Sequence, residues 1–191
     1  MQPSDLSQIR TLSSPTVHPD GRDVVFVVTQ PDVEGNRYRS SLWRLDLTEK
    51  GATPRRLTRS SYDSSPVYSP DGAWVAFVRG SKGGAGQVHV MPASGGDAWA
   101  LTDQPLGAGS PIWSPDSSSI VYAARVPEEG RYGTDEDIKP DNEAPRLIEH
   151  AQYLADGLGY RLDRPLCLFV VEVGGPGEAD ETGPGAGGEA E

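Results

Sequence analysis

Apolar residues occur along this chain in short runs, and three of these runs contain no polar position, at residues 24–28, 75–78 and 120–124. A strand with this pattern is typical of one that is buried on both of its faces. In a soluble antiparallel protein, such burial arises where sheets stack face to face. The pattern therefore predicts short strands in stacked sheets.

The same eight-residue unit lies before each of these runs, and its three copies align without gaps at residues 14–21, 65–72 and 110–117. The second copy ends in Ser-Pro-Asp-Gly, which fits a type I turn because proline presets φ at the second position and glycine closes the turn. A turn between two short apolar runs predicts a β-hairpin. One aromatic residue holds the same place in the run that follows each copy, as Phe26, Phe77 and Tyr122.

A third strand is predicted after each hairpin, because apolar and polar residues alternate there. Its apolar face is expected to carry Trp43, Leu45 and Leu47 in the first unit, Val88 and Val90 in the second, and Phe169, Val171 and Val173 in the third. A short fourth strand is predicted at residues 56–58 and 100–102. Four antiparallel strands in about 40–50 residues have the dimensions of one propeller blade. A β-sandwich is the alternative, but a sandwich does not need the same eight residues three times.

The predicted fold class is therefore all-β, a partial β-propeller of about three four-stranded antiparallel blades with a short N-terminal helix. Residues 1–12 form the helical extension, residues 13–173 the propeller, and residues 174–191 a disordered tail of glycine, proline and acidic residues. The blades span about 13–60, 61–104 and 105–173. The third blade is incomplete, because an acidic insertion at about 127–164 interrupts it and its fourth strand is missing.

Composition and charge narrow the possible functions. The 23 glycines and 17 prolines among 191 residues favour short strands and turns over long helices. The net charge of −11 argues against a nucleic-acid partner. The single cysteine, Cys167, allows neither an intrachain disulfide nor a thiolate metal cluster, and we expect it to be inert. No segment is long enough to span a membrane and no export signal begins the chain, so a soluble cytoplasmic protein without a membrane partner is expected.

Groups that could perform chemistry are few, and each has a simpler structural interpretation. A nucleophile elbow requires Gly-x-Ser-x-Gly, which does not occur, and the nearest stretch, residues 92–96, is predicted to be a turn. Residues 80–86 are rich in glycine but lack the order of a phosphate loop, and we expect them to join two strands. Residues 135–137 are acidic but lack the spacing of a calcium loop.

The histidines and tryptophans are predicted to have structural roles. His18 is expected in a turn, His89 on the solvent face of a third strand, and His150 in the insertion, with none at a metal-ligand spacing. Trp43 and Trp113 hold positions that are apolar in every copy of the unit and are expected in the core, whereas Trp74 and Trp99 remain open between packing and ligand stacking. The sequence thus predicts no catalytic residue, no cofactor and no metal site.

Four stretches of the chain, taken in order, also carry a family resemblance. They are residues 3–10, residues 24–32 with 36–43, the Ser-Pro-Asp-Gly hairpins, and residues 146–153 with 156–157 and 168–171. Together they resemble the N-terminal propeller of the prolyl oligopeptidase family of serine peptidases, on its acylaminoacyl-peptidase side, from its short first helix to the insertion of its third blade. The likeness covers residues 3–175, and the hairpins are shared with TolB-like propellers.

The resemblance implies a role beside an enzyme. In that family the propeller lies over a C-terminal α/β-hydrolase domain, whose Ser-His-Asp triad cleaves short peptides, and the propeller keeps long chains and folded proteins out. The implied partners of this chain are therefore the remaining blades, the hydrolase domain and, through it, short peptides. No catalytic residue carries over, because no matching position belongs to the hydrolase. Two alternatives stay open: a TolB-like protein-binding propeller and a non-functional truncated fragment.

An arc of three blades has two uncovered ends. Each unit of a repeat fold relies on its neighbours to cover its faces, so both end faces are expected to be apolar and exposed. Because the resemblance begins at the N-terminus, we expect these to be the first three blades of a longer ring. For the isolated chain, the exposed faces predict marginal stability or self-association.

Overall fold

A computed structural model of the chain describes residues 2–81, 84–155 and 159–174. Its elements, in chain order, are a 3₁₀ helix Pro3–Gln8 and the strands β1 Thr11–Val17, β2 Asp23–Asp32, β3 Arg37–Asp46, β4 Arg55–Arg56, β5 Asp63–Tyr68, β6 Trp74–Ser81, β7 Gly84–Pro92, β8 Trp99–Ala100, β9 Ile112–Trp113, β10 Ser119–Arg125, β11 Leu154–Ala155, β12 Gly159–Tyr160 and β13 Leu166–Glu172. Within these ranges no helix is long and apolar enough to cross a membrane.

The strands form three antiparallel sheets, which are the predicted blades. Blade 1 has the order β1-β2-β3-β4, blade 2 has the order β5-β6-β7-β8, and blade 3 has the order β9-β10-β13. A separate hairpin, β11-β12, lies in the connection between β10 and β13. The all-β class and the partial propeller are confirmed. In the described part of blade 3, β13 has no further strand beside it. The predicted tail lies outside the described residues, apart from Gly174.

The repeated unit forms the turn that joins the first two strands of each blade, as predicted. The amide of Gly72 donates to the carbonyl of Ser69 at 2.9 Å, and Gly21 and Ser117 make the equivalent bonds in the other two turns. All three residues have positive φ, at 74°, 75° and 63°. Glycine adopts this conformation without strain, whereas Ser117 does not.

The Leu-Thr pair that ends the first two blades continues the sheet after its last strand. The amide of Leu57 donates to the carbonyl of Leu42 at 2.7 Å, and the hydroxyl of Thr58 accepts the amide of Leu42 at 3.0 Å. Leu101 and Thr102 bond the backbone of Val88 in the same way. Each fourth strand therefore ends at the first residue of its predicted range. Beyond that residue, a threonine hydroxyl accepts the hydrogen bond that a backbone carbonyl would accept in a longer strand.

Two hydrophobic cores lie between the blades. The first contains Val25, Val27 and Leu42 of blade 1 and Val75, Phe77 and Met91 of blade 2. The second contains Ala76, Val88 and Val90 of blade 2 and Trp113, Ile120 and Tyr122 of blade 3. Blade 2 has a blade on either side, and its strand β6 is buried on both faces. Blades 1 and 3 each have a neighbouring blade on one side among the described residues, so one face of β2 and of β10 is only partly buried, and the prediction that these strands are also buried on both faces was wrong.

Three further predictions need correction. The N-terminal extension is shorter than residues 1–12, because β1 already begins at Thr11. Trp43 and Leu45 are only partly buried and lie on the face of β3 that points away from blade 2, and Leu47 is exposed beyond the end of β3. His89 does not face solvent: it lies opposite Phe77 on the face of blade 2 that contacts blade 1, with the two rings 5.9 Å apart. Trp113, in contrast, is buried as predicted.

The turn glycines allow a matched pair of substitutions. Gly21 and Gly72 have the same φ, but a Cβ on Gly21 would have nothing within 4 Å, whereas a Cβ on Gly72 would meet the ring of His18 at 2.5 Å. We expect Gly21→Ala to cost about 1 kcal/mol of unfolding free energy from backbone strain. Gly72→Ala should cost about 2–3 kcal/mol, because it also displaces a ring that contacts the Gly72 carbonyl at 3.0 Å.

Urea unfolding followed by tryptophan fluorescence measures both values. Adding His18→Ser, which places serine where the other two turns have it, should bring the cost of Gly72→Ala down towards that of Gly21→Ala. Equal costs for the two single variants would contradict a contact between the turns.

Candidate functional site

The two glycine-containing stretches lie between strands. Residues 92–96 join β7 to β8 through a turn in which the amide of Gly95 donates to the carbonyl of Pro92 at 2.9 Å. Residues 80–86 lie where β6 meets β7, and Ser81 pairs with Gly84. Lys82 and Gly83 of that stretch lie outside the described residues. Neither described stretch adjoins a helix, which a nucleophile elbow and a phosphate loop both require.

The three histidines lie in different elements of the fold and make separate contacts. His18 is in the first turn, as predicted, and its ring packs edge-on against Tyr68 of blade 2 at 5.0 Å. Burial lowers the pKa of His89 below its usual value, and nearby Arg79 lowers it further. His150 is exposed in the insertion. Among the residues that the structure describes, no group of three or more His, Cys, Asp or Glu side chains is arranged to hold a metal ion.

Trp74 and Trp99, which the sequence left open, pack against each other at 5.4 Å in an edge-to-face geometry and border the core between blades 2 and 3. The acidic stretch 135–137 is exposed and forms a local turn, in which the amide of Asp137 donates to the carboxylate of Asp135 at 2.8 Å. Packing therefore accounts for the tryptophans, and local hydrogen bonding accounts for the acidic stretch.

The insertion of blade 3, which the structure places between β10 and β13, contains a group of buried ion pairs. Two acidic and three basic side chains meet there in an arrangement that we call the insertion ion cluster: Arg131, Glu143, Arg146, Asp163 and Arg164. All five side chains are at most 16% exposed. Such burial requires that each charge be compensated.

The carboxylate of Asp163 lies at the centre of the insertion ion cluster. One of its oxygens, Oδ2, accepts from Nε of Arg146 at 2.6 Å and lies 3.1 Å from Nε of Arg131. The other, Oδ1, lies 3.2 Å from Nε of Arg164. A single carboxylate therefore contacts all three arginines, and it ties residues from both ends of the insertion together.

Glu143 is the second carboxylate of the cluster. Its carboxylate accepts from Arg146 at 2.7 Å, from Arg164 at 2.6 Å and from the backbone amide of Tyr132 at 2.7 Å. Burial alone would raise the pKa of Glu143, but these three hydrogen bonds outweigh it and hold the pKa at about 2. The three arginines and two carboxylates leave one positive charge in excess.

A shallow groove borders the insertion ion cluster. Its cavity measures about 170 Å³, and besides members of the cluster its lining includes Leu147, Ile148, Tyr153, Tyr160 and Leu162. The guanidinium of Arg146 lies 3.9 Å from the centre of the Tyr160 ring. Leu147 is 86% exposed at the groove. The groove thus offers aromatic and aliphatic surface beside balanced charges, since Glu128 and Asp163 line it together with Arg131 and Arg146. This lining suits a peptide segment better than a nucleotide or a metal.

This cluster was not predicted from the sequence. Residues 127–164 were interpreted as an acidic insertion, because acidic residues dominate the stretch between residues 128 and 143. The available signal was the presence of arginines in an otherwise acidic segment, but their positions follow no strand or helix period.

Comparison with known proteins places the chain among propellers. The model of the family PD40, the TolB beta propeller domain, matches residues 6–143. The chain is 32% identical over 170 residues to the uncharacterized peptidase YuxL of Bacillus subtilis (strain 168), a match that covers 88% of this chain and 26% of that protein. It is 33% identical over 108 residues to the Tol-Pal system protein TolB of Anaeromyxobacter dehalogenans (strain 2CP-C), which covers 56% of this chain and 23% of that protein.

Among solved structures, the acylaminoacyl peptidase of Pyrococcus horikoshii superposes with a TM-score of 0.65 at 20% identity, over 87% of this chain and 24% of that one. This likeness concerns the fold. The chain spans about a quarter of the length of the proteins it matches. Together, the matches confirm the predicted resemblance to the propeller of prolyl oligopeptidase-family peptidases.

Proposed function

Because the chain belongs to the family of TolB-type β-propeller domains, we propose that it is the propeller portion of a serine peptidase and limits which peptides reach the hydrolase domain. The observation that carries this proposal is the extent of the match to the peptidase YuxL. A span of 88% of the chain includes residues 127–164 wherever it begins, whereas the match to TolB covers 56%. The likeness to a peptidase therefore extends to the insertion.

The insertion has the physical properties that a gate needs. A gate excludes long chains only if it keeps its shape when they press against it, and the insertion ion cluster fixes this segment through buried ion pairs. The groove beside the cluster, with exposed Leu147 and the ring of Tyr160, would contact a passing peptide. Short peptides would pass, whereas longer ones would have to displace the insertion.

The full-length protein that contains this chain tests the proposal. We expect Asp163→Asn, which loosens the insertion, to raise kcat/KM for a long unstructured peptide by about tenfold while leaving kcat/KM for an acylated dipeptide within about twofold. Asp141→Asn, an exposed substitution in the same insertion, is the matched control and should change neither value. Equal effects of Asp163→Asn on both substrates would overturn the gating proposal.

A TolB-like binding propeller is the second candidate, and the match of residues 6–143 to the TolB family favours it. The coding sequence after residue 191 separates the two candidates. The peptidase proposal requires further blades, then Gly-x-Ser-x-Gly and later Asp and His. Further blades without that motif would overturn it. We also expect the 191-residue chain alone not to hydrolyse aminoacyl chromogenic substrates, and turnover blocked by a serine-directed phosphonate would contradict this.

A further inference from the structure

The contact between blades 2 and 3 is closed by apolar side chains at one place where its counterpart between blades 1 and 2 is not. Trp74 of β6 packs there against blade 3, together with Val90 and Trp99, which face each other on β7 and β8. The two tryptophan rings lie 5.4 Å apart. These three positions therefore belong to the hydrophobic core on that side of blade 2.

Blade 1 carries charged residues at the same three positions. Asp23 holds the position of Trp74 in the repeated unit. Arg44 and Arg55 face each other on β3 and β4, as the apolar pair does in blade 2. Asp23 lies two residues before Val25 of the first core, so its side chain is on the face of blade 1 that contacts blade 2. The contact between blades 1 and 2 is thus charged where the next contact is apolar.

A cleft of about 500 Å³ lies at this place, between blades 1 and 2. Its lining includes Asp23, Arg44 and Arg55 from the strands of blade 1. Glu49, from the connection between β3 and β4, and Ser94 of blade 2 complete this part of the wall. Sites for small molecules typically measure about 300–1,000 Å³ and occur preferentially where two packed units meet. The cleft therefore has the size and the position of a ligand site.

Arg44 fixes the floor of the cleft. Its guanidinium pairs with Asp23 and also donates to the backbone carbonyl of Ala93 in blade 2 at 3.3 Å, so it connects the two walls. The side chain of Asp23 is only 14% exposed. Apolar residues in place of a largely buried ion pair are often equally stable or more stable. The charged pair therefore departs from what stability favours, and such departures are expected at functional sites.

The connection between β3 and β4 holds the rim of the cleft in shape. The carboxylate of Asp46 accepts the amide of Thr48 at 2.8 Å and the hydroxyl of the same residue at 2.6 Å. The backbone carbonyl of Glu49 accepts the amide of Ala52 at 3.2 Å. In contrast, the side chains of Glu49 and Arg55 make no hydrogen bond or ion pair with any residue that the structure describes. One carboxylate and one guanidinium in the lining are therefore available to a ligand.

The charges that line the cleft balance, with three carboxylates and three guanidiniums. These groups belong to Asp23, Arg44, Asp46, Glu49, Arg55 and Arg56. A ligand without net charge enters such a lining most favourably, whereas a phosphate would bring its negative charges beside three carboxylates. Arginine binds a carboxylate through two parallel hydrogen bonds, and a carboxylate accepts from an ammonium group. The available pair thus suits a zwitterion.

We propose that this cleft binds a zwitterionic peptide of about dipeptide size, whose carboxylate pairs with Arg55 and whose ammonium group pairs with Glu49. Such a molecule is a product of peptide hydrolysis. Its origin as a product rests on the proposed function, whereas its binding does not require hydrolysis. The small apolar part of the lining, Ala52 and Leu57, favours small side chains on the peptide.

Saturation-transfer NMR on the full-length protein that contains this chain tests the proposal, after treatment with a serine-directed phosphonate to block a hydrolase site. The probe is alanylalanine. We expect its dissociation constant to rise about tenfold in Arg55→Gln and in Glu49→Gln, because each variant removes one charged contact. Arg59→Gln replaces an exposed arginine outside the lining and is the matched control, which should bind as the wild type does.

Capped probes assign the two termini of the peptide. Alanylalanine amide lacks the carboxylate, so it should bind the wild type about tenfold more weakly than alanylalanine and bind Arg55→Gln and the wild type equally. N-acetylalanylalanine lacks the ammonium group and should bind Glu49→Gln and the wild type equally. No binding of alanylalanine, or an unchanged dissociation constant in either variant, would overturn the proposal. Binding with the expected dependence on both residues, in a protein that the phosphonate does not label, would support the cleft and contradict the peptidase proposal alone.

Discussion

Asp63→Asn should lower the free energy of unfolding by about 3 kcal/mol, because it breaks a buried ion pair between the first two strands of blade 2. Asp63 is fully buried at the start of β5, and its carboxylate accepts two bonds from Arg79, from Nε at 2.8 Å and from a terminal nitrogen at 3.2 Å. Arg79 lies two residues after Phe77, on the face of blade 2 that contacts blade 1, with its guanidinium 5.0 Å from the centre of the Phe77 ring.

The asparagine keeps the shape of the side chain but removes its charge. Arg79 is 26% exposed in its side chain, so its guanidinium cannot recover full hydration when the counter-charge is lost. The penalty for an uncompensated, partly buried charge, more than the lost attraction, accounts for the effect. If this is correct, removing both charges should cost less than removing one, and Asp63→Leu with Arg79→Met should recover part of the lost stability.

Urea unfolding at one fixed protein concentration measures these values, since any association contributes to apparent stability. Arg22→Ala is the control, because Arg22 is 74% exposed and 4.0 Å from Asp20, and exposed pairs contribute about 0–1 kcal/mol. A cost for Asp63→Asn no larger than that of the control would show that the buried pair does not stabilise blade 2.

The blade architecture was predictable because it depends on local signals that recur. The repeated unit places glycine at φ 75° and 74° in two turns. Few other residues adopt such angles, so the glycine in the sequence predicts the turn. The unit also creates an irregularity in the first strand, where Ser14 and Ser65 have positive φ and the register shifts. Three copies in one order fixed the number of blades.

The predictions about faces were less accurate, because a single strand does not reveal what lies next to its sheet. Trp43 was expected in the core, but it is only partly buried, on the face of blade 1 that points away from blade 2. His89 was expected at the surface, but it lies on the face of blade 2 that contacts blade 1. A blade at the end of the arc has a neighbouring blade on one face only, whereas the middle blade has a neighbour on each of its two faces. The environment of these residues thus depends on their place in the arc and not on their own strand pattern.

The insertion ion cluster could not be predicted for a different reason. Arg131 and Arg146 are separated by an irregular segment with no helical or strand periodicity. They lie close together because the carboxylate of Asp163, further along the chain, contacts both of them. Charged residues of an insertion are usually solvated, so their sequence favours exposure. Their burial is a property of the three-dimensional fold of the insertion.

Asp163→Asn should open the insertion while the blades remain folded. The substitution leaves three arginines beside one carboxylate, and such an imbalance in a buried cluster costs about 3 kcal/mol. None of the five cluster residues belongs to the two cores between the blades, so we expect local opening without global unfolding. Trypsin cleavage after Arg131 and Arg146 should accelerate by about a hundredfold, since each 1.4 kcal/mol changes an equilibrium tenfold.

The urea midpoint provides the internal comparison for this variant. It should change little, because the insertion contributes little to the cores, and Asp141→Asn should change neither the midpoint nor the cleavage rate. A large drop in the midpoint would show that the insertion is an integral part of blade 3 and not a separately folding segment.

Acid should open the wild-type insertion by the same route. The pKa of Glu143 is about 2 in the folded protein against an ordinary value of 4.5, so its stabilising contribution is complete above about pH 4.5 and is lost as the pH falls towards 2. The amide of Tyr132, which donates to this carboxylate, should lose hydrogen-exchange protection over that range, after correction for the intrinsic exchange rate. In Glu143→Gln the protection should be low and independent of pH, because no carboxylate remains to titrate. The same pH dependence in both proteins would assign the titration to another group and contradict the role of Glu143 in holding the insertion closed.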